Sequence, residues 1–370
     1  MRAINCTHRL FLIFLTLYSL LGMHFFMHNQ GGSGLYLPFN MLGWVFITVL
    51  TSIGIWHLTV VKQLIFSRNQ LWFLAGFAIL LLPFLNPQAE WNVSAQPRFL
   101  AIAAGLLFFF ALSQFQFTEK QRHSLLYLLL GAVAIETVFG LVQFFILKDG
   151  NWLGYNVKVN RPYGIFQKDS VFSSFLAAGL AMTFYLQRWD SKVLTSHWRQ
   201  GLLSLILVAT PLLLIQIQSR AGIYGAILAV TCMLPVLWNH NRRLFWWSVV
   251  LMGISLSVGL WVYSSARSAD SYELTSSYRK LYWSHVIDMW RSAPILGHGY
   301  GSFEYTFLHD FYAPENIKPG MRLMEENLDH PHNEVLFWLH EGGIVAVIGL
   351  LIDRILRDKS LFQIEKWLHL

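Results

Sequence analysis

Charge is what this sequence has least of. Of its 370 residues only 13% are Asp, Glu, Lys or Arg, about half the share carried by soluble domains. That scarcity excludes a globule solvated on all sides. Cysteine is scarcer still: Cys6 and Cys232 stand alone, which excludes a disulfide framework and a cysteine-built metal site. No internal repeat and no low-complexity tract is apparent, so solenoids and arrays are excluded too. The N-terminal stretch has a basic start and an apolar run but no small-residue cleavage site. It reads as a retained first span rather than a removable signal.

What is there is apolar and aromatic. Hydrophobic residues make up 55% of the chain, with 15 Trp, 14 Tyr and 29 Phe, and mean hydropathy is +0.46. This fits a membrane protein with aromatic belts at both interfaces. Runs long enough to cross a bilayer recur at 10–27, 38–61, 71–86, 98–116, 124–147, 171–187, 201–218, 221–238, 244–263 and 333–352. The fold class expected is therefore an all-α integral membrane protein with about 10 transmembrane helices. The chain divides into helices 1–5 over 1–150, helices 6–9 with basic outer loops over 151–263, a large loop over 264–332, helix 10 over 333–352 and a basic amphipathic tail over 353–370. A net charge of +7 would suggest nucleic acid in a soluble protein. Here it reads as Lys and Arg in cytoplasmic loops, and no nucleic-acid partner is expected.

Those loop cations set the orientation. With the N-terminus inside, Lys62, Arg68, Lys120, Arg122, Arg188, Lys192, Arg199, Arg242 and Arg243 all fall on the cytoplasmic side, with Arg354, Arg357 and Lys359 in the tail. Against that bias, the outer face keeps Lys148, Lys158, Arg161 and Lys168 in one loop, Arg220 in another, and Arg267, Arg279, Lys280 and Arg291 in the long loop. Arg220 stands out because it sits in QSRAG, a very short turn between two apolar runs, where a cation is costly and usually functional. Even-numbered spans enter from outside, so their partially positive N-terminal ends face outward. Spans six, eight and ten begin beside Arg161 and Lys168, Arg220, and the stretch LDHPHNEVLFWLHEGG (328–343) respectively. Such helix starts suit an anion, a phosphate or diphosphate above all.

Three readings of that last stretch are open. A metal site needs His330, His332 and a third ligand, but Pro331 separates the pair and no cysteine or His-Glu-x-x-His pattern accompanies it. In a purely structural reading His330 or Asp329 caps the helix, Pro331 occupies its first turn, and Gly342-Gly343 allows close packing on a neighbour. In a catalytic reading His332 is a neutral imidazole that takes a proton from a hydroxyl. At 100° per residue His332, Leu336, His340 and Gly343 share one helix face with Asn333 at its edge, and Glu334 and Glu341 lie opposite.

Four segments together resemble the O-antigen ligase/polymerase superfamily of bacterial membrane glycosyltransferases. They are RPYGIFQKDSVFSSFLAAGLA (161–181), QSRAGIYGAILA (218–229), YRKLYWSHVIDMWRSAPILGHGYGSF (278–303) and HPHNEVLFWLHEGGI (330–344). They follow the family's order, and the first is nearest to the protein (pilin-type) O-oligosaccharyltransferase branch. The resemblance implies a lipid-donor, GT-C-like fold with its active site facing the periplasm, in the bacterial inner membrane. It implies a metal-independent, inverting transfer of a glycan from undecaprenyl diphosphate to a hydroxyl acceptor, without a cofactor. The partners would be that lipid-linked glycan, an acceptor protein or lipid A-core, and membrane lipid. Carried onto this chain, His332, Arg220 and Arg279 are the catalytic residues. Arg161, Lys168, Gln167, Arg291, His330, Asn333 and Glu341 assist in substrate binding, while Tyr300 and Trp290 are either packing or sugar platforms.

Two departures mark the chain. Gln167-Lys168-Asp169-Ser170 stands where the family has Gln-x-Asn, and the family continues with further spans, so the C-terminus reads as shortened. The first choice of activity is transfer to a protein such as pilin; O-antigen ligation to lipid A-core and O-antigen polymerisation are the alternatives. Outside that class stand a transporter or flippase of the lipid-linked glycan and an inactive truncated remnant. A transporter calls for charge near the mid-membrane, whereas Glu136 is nearly the only charged residue within these spans and the unusual cations gather on one face.

Overall fold

Apolar runs of this length have one economical way to satisfy their own backbone polar groups in hydrocarbon, which is to coil. The chain is accordingly an all-α integral membrane protein. The computed structural model describes residues 2–24, 38–86, 91–151, 155, 161–166, 169–190, 192–266, 271–313, 328, 330–355 and 368–369, with side chains described within 6–24, 41–86, 91–261 and 281–352 of these. Twelve α-helices run along the described residues: α1 (Arg2–Leu20), α2 (Pro38–Val61), α3 (Arg68–Leu81), α4 (Asn92–Ser113), α5 (Glu119–Phe145), α6 (Asp169–Trp189), α7 (His197–Ile217), α8 (Arg220–His240), α9 (Arg242–Ala266), α10 (Ser271–Ser292), α11 (Phe303–Phe311) and α12 (Glu334–Ile355). All but α10 and α11 give stretches long and apolar enough to cross a membrane, α3 together with the 3-10 turn that continues it to Leu85, and these ten correspond one to one with the runs read from the sequence. A two-residue antiparallel pairing, Gln63 with His369 and Leu64 with Leu368, is the only sheet among the described residues.

By packing, the chain forms two units. The first comprises Met1–Thr7, Leu50–Phe115 and Ser268–Leu370, the second His8–Val49 and Gln116–Arg267.

The first unit has an aromatic core. The sequence reads 264–332 as a long loop, yet α10 and α11 form inside it, because both carry an apolar stripe at helical spacing. On α10 the buried residues are Tyr282, Val286 and Met289; on α11 they are Phe303, Phe307 and Phe311. The three phenylalanines stack in series with centroids 5.2 and 5.3 Å apart. Phe99, Tyr300, Phe337 and Trp338 complete the same core.

The decisive feature of this unit is an interruption in α12. Gly343 has φ 65° and ψ −164°, a combination essentially confined to glycine. The break strands backbone groups that hydrocarbon cannot solvate, and residues 294–299 supply their partners. The N–H groups of His298 and Gly299 donate to the carbonyls of His340 and Glu341, each at 2.9 Å. Beyond the break, Ile344 N–H donates to Pro294 O at 2.9 Å and Val345 N–H to Ile295 O at 3.3 Å. The sequence predicts that Gly342-Gly343 allows close packing; the structure shows close approach together with a broken helix. A Cβ on Gly343 would lie 2.1 Å from Ile295 O.

The second unit is built largely of Leu, Ile, Val and Phe from α5 to α9. Here α6 and α8 lie against each other, and a Cβ on Gly222 of α8 would stand 2.4 Å from Ser173 Cβ of α6. That approach sets the first turns of the two helices side by side.

Gly343→Ala is expected to lower stability by about 3 kcal/mol or more, from backbone strain plus the clash with Ile295 O. Thermal unfolding in detergent should show a midpoint several degrees lower. Gly253→Ala in α9 is the control, since no atom lies within 4 Å of its added Cβ; its midpoint should not fall.

Candidate functional site

The HPHN stretch belongs to the first unit, and its geometry corrects the sequence reading. Asn333 caps α12: its Oδ1 accepts the Leu336 N–H at 3.2 Å, and its carbonyl accepts the Phe337 N–H at 2.9 Å. His330 is not the cap, and Asp329 lies outside the described residues. The helix begins at Glu334 because Asn caps well and because His332, at φ 53°, has left the helical region. Pro331 and His332 therefore precede the helix instead of forming its first turn, and His332 does not share a helix face with His340.

The same turn fixes the protonation of His330. Its Nδ1 accepts the His332 N–H at 2.9 Å, so this nitrogen carries a lone pair. Its Nε2 lies 3.0 Å from Glu334 Oε1 and must hold the proton, which makes the ring neutral. Trp283 of α10 anchors the turn by donating Nε1–H to Pro331 O at 2.9 Å. His332 is partly exposed on a left-handed backbone that is uncommon for a non-glycine residue, the kind of strain found at functional sites.

Glu341, seven positions beyond Glu334, is the buried carboxylate among the described residues of this unit. Its Oε2 receives Arg98 Nη1 of α4 at 2.5 Å, with side-chain exposures of 1% for Glu341 and 30% for Arg98. Arg98 also lies over the Phe337 and Trp338 rings, 4.4 and 5.4 Å from their centroids. The sequence reading passes over Arg98. The signal was available, because Arg98 is the first residue of the apolar run 98–116, as Arg220 immediately precedes the run 221–238. His340 is fully buried; its ring stacks on His298 at 4.6 Å and its Nε2 meets Thr306 Oγ1 at 2.8 Å. Tyr300 is packing, not a sugar platform: it is buried and donates its hydroxyl to Leu80 O at 2.7 Å. Burial raises its pKa, the charge of Glu341 raises it further, and Arg98 opposes. Trp290 donates Nε1–H to Pro294 O at 3.1 Å. Arg291 pairs with Asp288 at 2.7 Å, both strongly exposed, a contact of little energetic weight. Arg279 lies on α10, with its side chain outside the described set.

In the second unit Arg161 and Arg220 stand at the starts of α6 and α8. Arg161 Nη1 is 3.6 Å from Asp169 Oδ2, the first residue of α6, and its Nη2 donates to Gln218 Oε1 at 3.5 Å. Gln218 ends α7 in a left-handed conformation, φ 59°, and Ser219 leads directly into Arg220, which is exposed. Arg161 and Arg220 thus stand by the starts of two helices that pack against each other, and helix starts of this kind suit an anion. Asp169 is thus the ion partner of Arg161 at the point where the sequence departs from the family pattern. Gln167 and Lys168 lie outside the described residues. Among the described residues, no group of three or more His, Cys, Asp or Glu is arranged to hold a metal ion.

Residues 202–351 match the family model of the O-antigen ligases, which supports the superfamily resemblance over α7 to α12. The matched stretch includes Arg220, Arg279, Arg291, His330, His332, Asn333 and Glu341, and leaves out Arg161, Gln167 and Lys168. No curated protein matches the chain, and no solved structure does.

Glu341→Ala leaves Arg98 over two aromatic faces without its carboxylate. A loss of about 3 kcal/mol is expected, the low end for breaking a buried pair because Arg98 is partly exposed. Arg98→Met combined with Glu341→Gln should cost clearly less than Glu341→Ala alone. Thermal unfolding of the three proteins checks the order.

Proposed function

We propose that this protein transfers a glycan from undecaprenyl diphosphate to a Ser or Thr hydroxyl of a periplasmic protein such as pilin. The observation that carries the reading is that Arg161, beside Asp169 at the start of α6, and Arg220, at the start of α8, flank two helices packed against each other in a chain otherwise poor in charge. A polyprenyl diphosphate is an anion delivered by a hydrocarbon tail, and this is the kind of feature that receives one. The O-antigen ligase match over 202–351 agrees with a lipid-linked donor.

The reaction moves one bond. The acceptor oxygen attacks the anomeric carbon from the face opposite the diphosphate, the carbon–oxygen bond to the diphosphate breaks with its electron pair, and the configuration inverts. Arg220 and Arg161 offset the charge that grows on the leaving group, a term usually among the largest in catalysis. His332 takes the hydroxyl proton as general base. His330 has both ring nitrogens engaged and orients the turn. Arg279 is assigned to the leaving group, and Lys168 and Gln167 assist Arg161. No metal or cofactor takes part. The N-terminus is cytoplasmic, the protein sits in the inner membrane, and the site faces the periplasm. Lipid A-core is the second acceptor in this reading, reached by the same chemistry.

Complementation tests the reading and separates the acceptors. A strain lacking its own glycan-transferring enzyme should regain glycosylated pilin when it carries this protein. His332→Ala and Arg220→Ala should each reduce transfer by about 100-fold or more. Glycan appearing on lipid A-core instead selects the second acceptor. Full transfer by both variants contradicts the assignment.

A further inference from the structure

Glu136 is left unused by the transfer chemistry, and its surroundings explain its presence in the middle of an apolar span. It lies on α5 and is 1% exposed. Its Oε1 is 2.5 Å from His24 Nδ1, and its Oε2 accepts the backbone N–H of Ile165 at 3.1 Å. Seven residues further along the same face, Gln143 does similar work: its Oε1 accepts the N–H groups of Tyr163 at 3.0 Å and Gly164 at 2.8 Å. Its Nε2 donates to Gly164 O at 2.9 Å. Three consecutive amides of the segment that follows Arg161 are thus bound by two side chains of one helix. Gly164, at φ 62°, permits the approach, since a Cβ there would fall 2.7 Å from Glu136 Oε2.

The proton count at the pair is fixed by its far end. His24 Nε2 lies 3.0 Å from Ser19 O, a carbonyl that can only accept, so Nε2 carries a proton. One further proton is shared between His24 Nδ1 and Glu136 Oε1, and the pair is neutral as a whole. A buried pair without net charge is a poor electrostatic device but a good anchor.

We propose that Glu136, held by His24, is a positioning residue that fixes the course of residues 163–165 and thereby the reach of Arg161 toward Gln218 and the start of α6. The proposal rests on the reading of Arg161 as a donor-binding cation. Glu136 acts through its hydrogen bonds and not through its charge. An amide can therefore replace it: in Glu136→Gln the side-chain oxygen accepts from Ile165, and the amide donates to the Nδ1 of neutral His24.

The test combines hydrogen exchange on the full chain in detergent with glycan transfer in membranes. Glu136→Ala should speed exchange of the 163–165 amides by about tenfold, roughly the effect of one lost hydrogen bond, without changing other helices. Its transfer should fall to the level of Arg161→Ala, and the double variant should be no slower than Arg161→Ala alone. Glu136→Gln should keep both protection and transfer. Unchanged protection in Glu136→Ala overturns the proposal, as does loss of either property in Glu136→Gln. Should Glu136→Ala fail to fold, Glu136→Gln decides by the same criterion. Full transfer by Arg161→Ala would remove Arg161 from donor binding, and exchange alone would then decide whether Glu136 positions the segment.

Discussion

The interruption of α12 at Gly343 is the constraint on which the first unit depends. A helix in hydrocarbon cannot stop and restart without stranding amides and carbonyls, each costing several kcal/mol if unpaired. Four of those groups are met by residues 294–299, so the break and the segment that fills it exist only together. The rest of the unit's geometry is tied to that exchange. It brings the Gly297–Gly301 turn onto Glu341 and puts Tyr300 among Phe84, Phe99 and Trp338. It also leaves Asn333 to cap a helix that ends, in its regular part, only ten residues later. The HPHN turn is therefore mounted on a short rigid half-helix, fixed at its start by Trp283 and at its end by Arg98 and the filling segment.

The second unit meets a related demand in another way. Its irregular stretch, residues 161–166, is bound to α5 by Glu136 and Gln143, and irregular backbone packed on a span is tolerated where protein satisfies it. In both units a carboxylate within a span faces backbone and a basic side chain: Glu341 with Arg98, Glu136 with His24. In the second unit Arg161, proposed for chemistry, stands two residues before the anchored amides of 163–165. These carboxylates inside the spans bind backbone and a basic side chain, and the cations at helix starts are assigned to the substrate.

Much of the architecture was legible in the sequence because hydrophobic length is a local property. All ten spans could be placed, and Arg220 at a helix start followed from its four-residue surroundings. The helices α10 and α11 were legible in principle, through Tyr282, Val286 and Met289 or the Phe303, Phe307 and Phe311 stripe. The low hydropathy around them hid the period. Gly342-Gly343 gave a warning of close approach, but a packing glycine and a helix-breaking glycine look alike until the intruding segment is known. The partners were out of reach for a simple reason: Arg98 and Glu341 are 243 residues apart, His24 and Glu136 112. No periodicity links residues at such separations. His332 was misplaced by a smaller margin, since a proline that suits a first helical turn also suits the turn before a cap.

Reconstitution tests the central claim, glycan transfer from a lipid diphosphate, most directly. Purified protein in lipid nanodiscs would be given an undecaprenyl-diphosphate-linked glycan and an acceptor in the presence of a metal chelator, with both products followed. The account predicts that undecaprenyl diphosphate appears in equal amount to glycan joined to the acceptor, with inverted anomeric configuration. Donor that remains intact with acceptor unmodified, or that only changes sides in sealed vesicles, would contradict it.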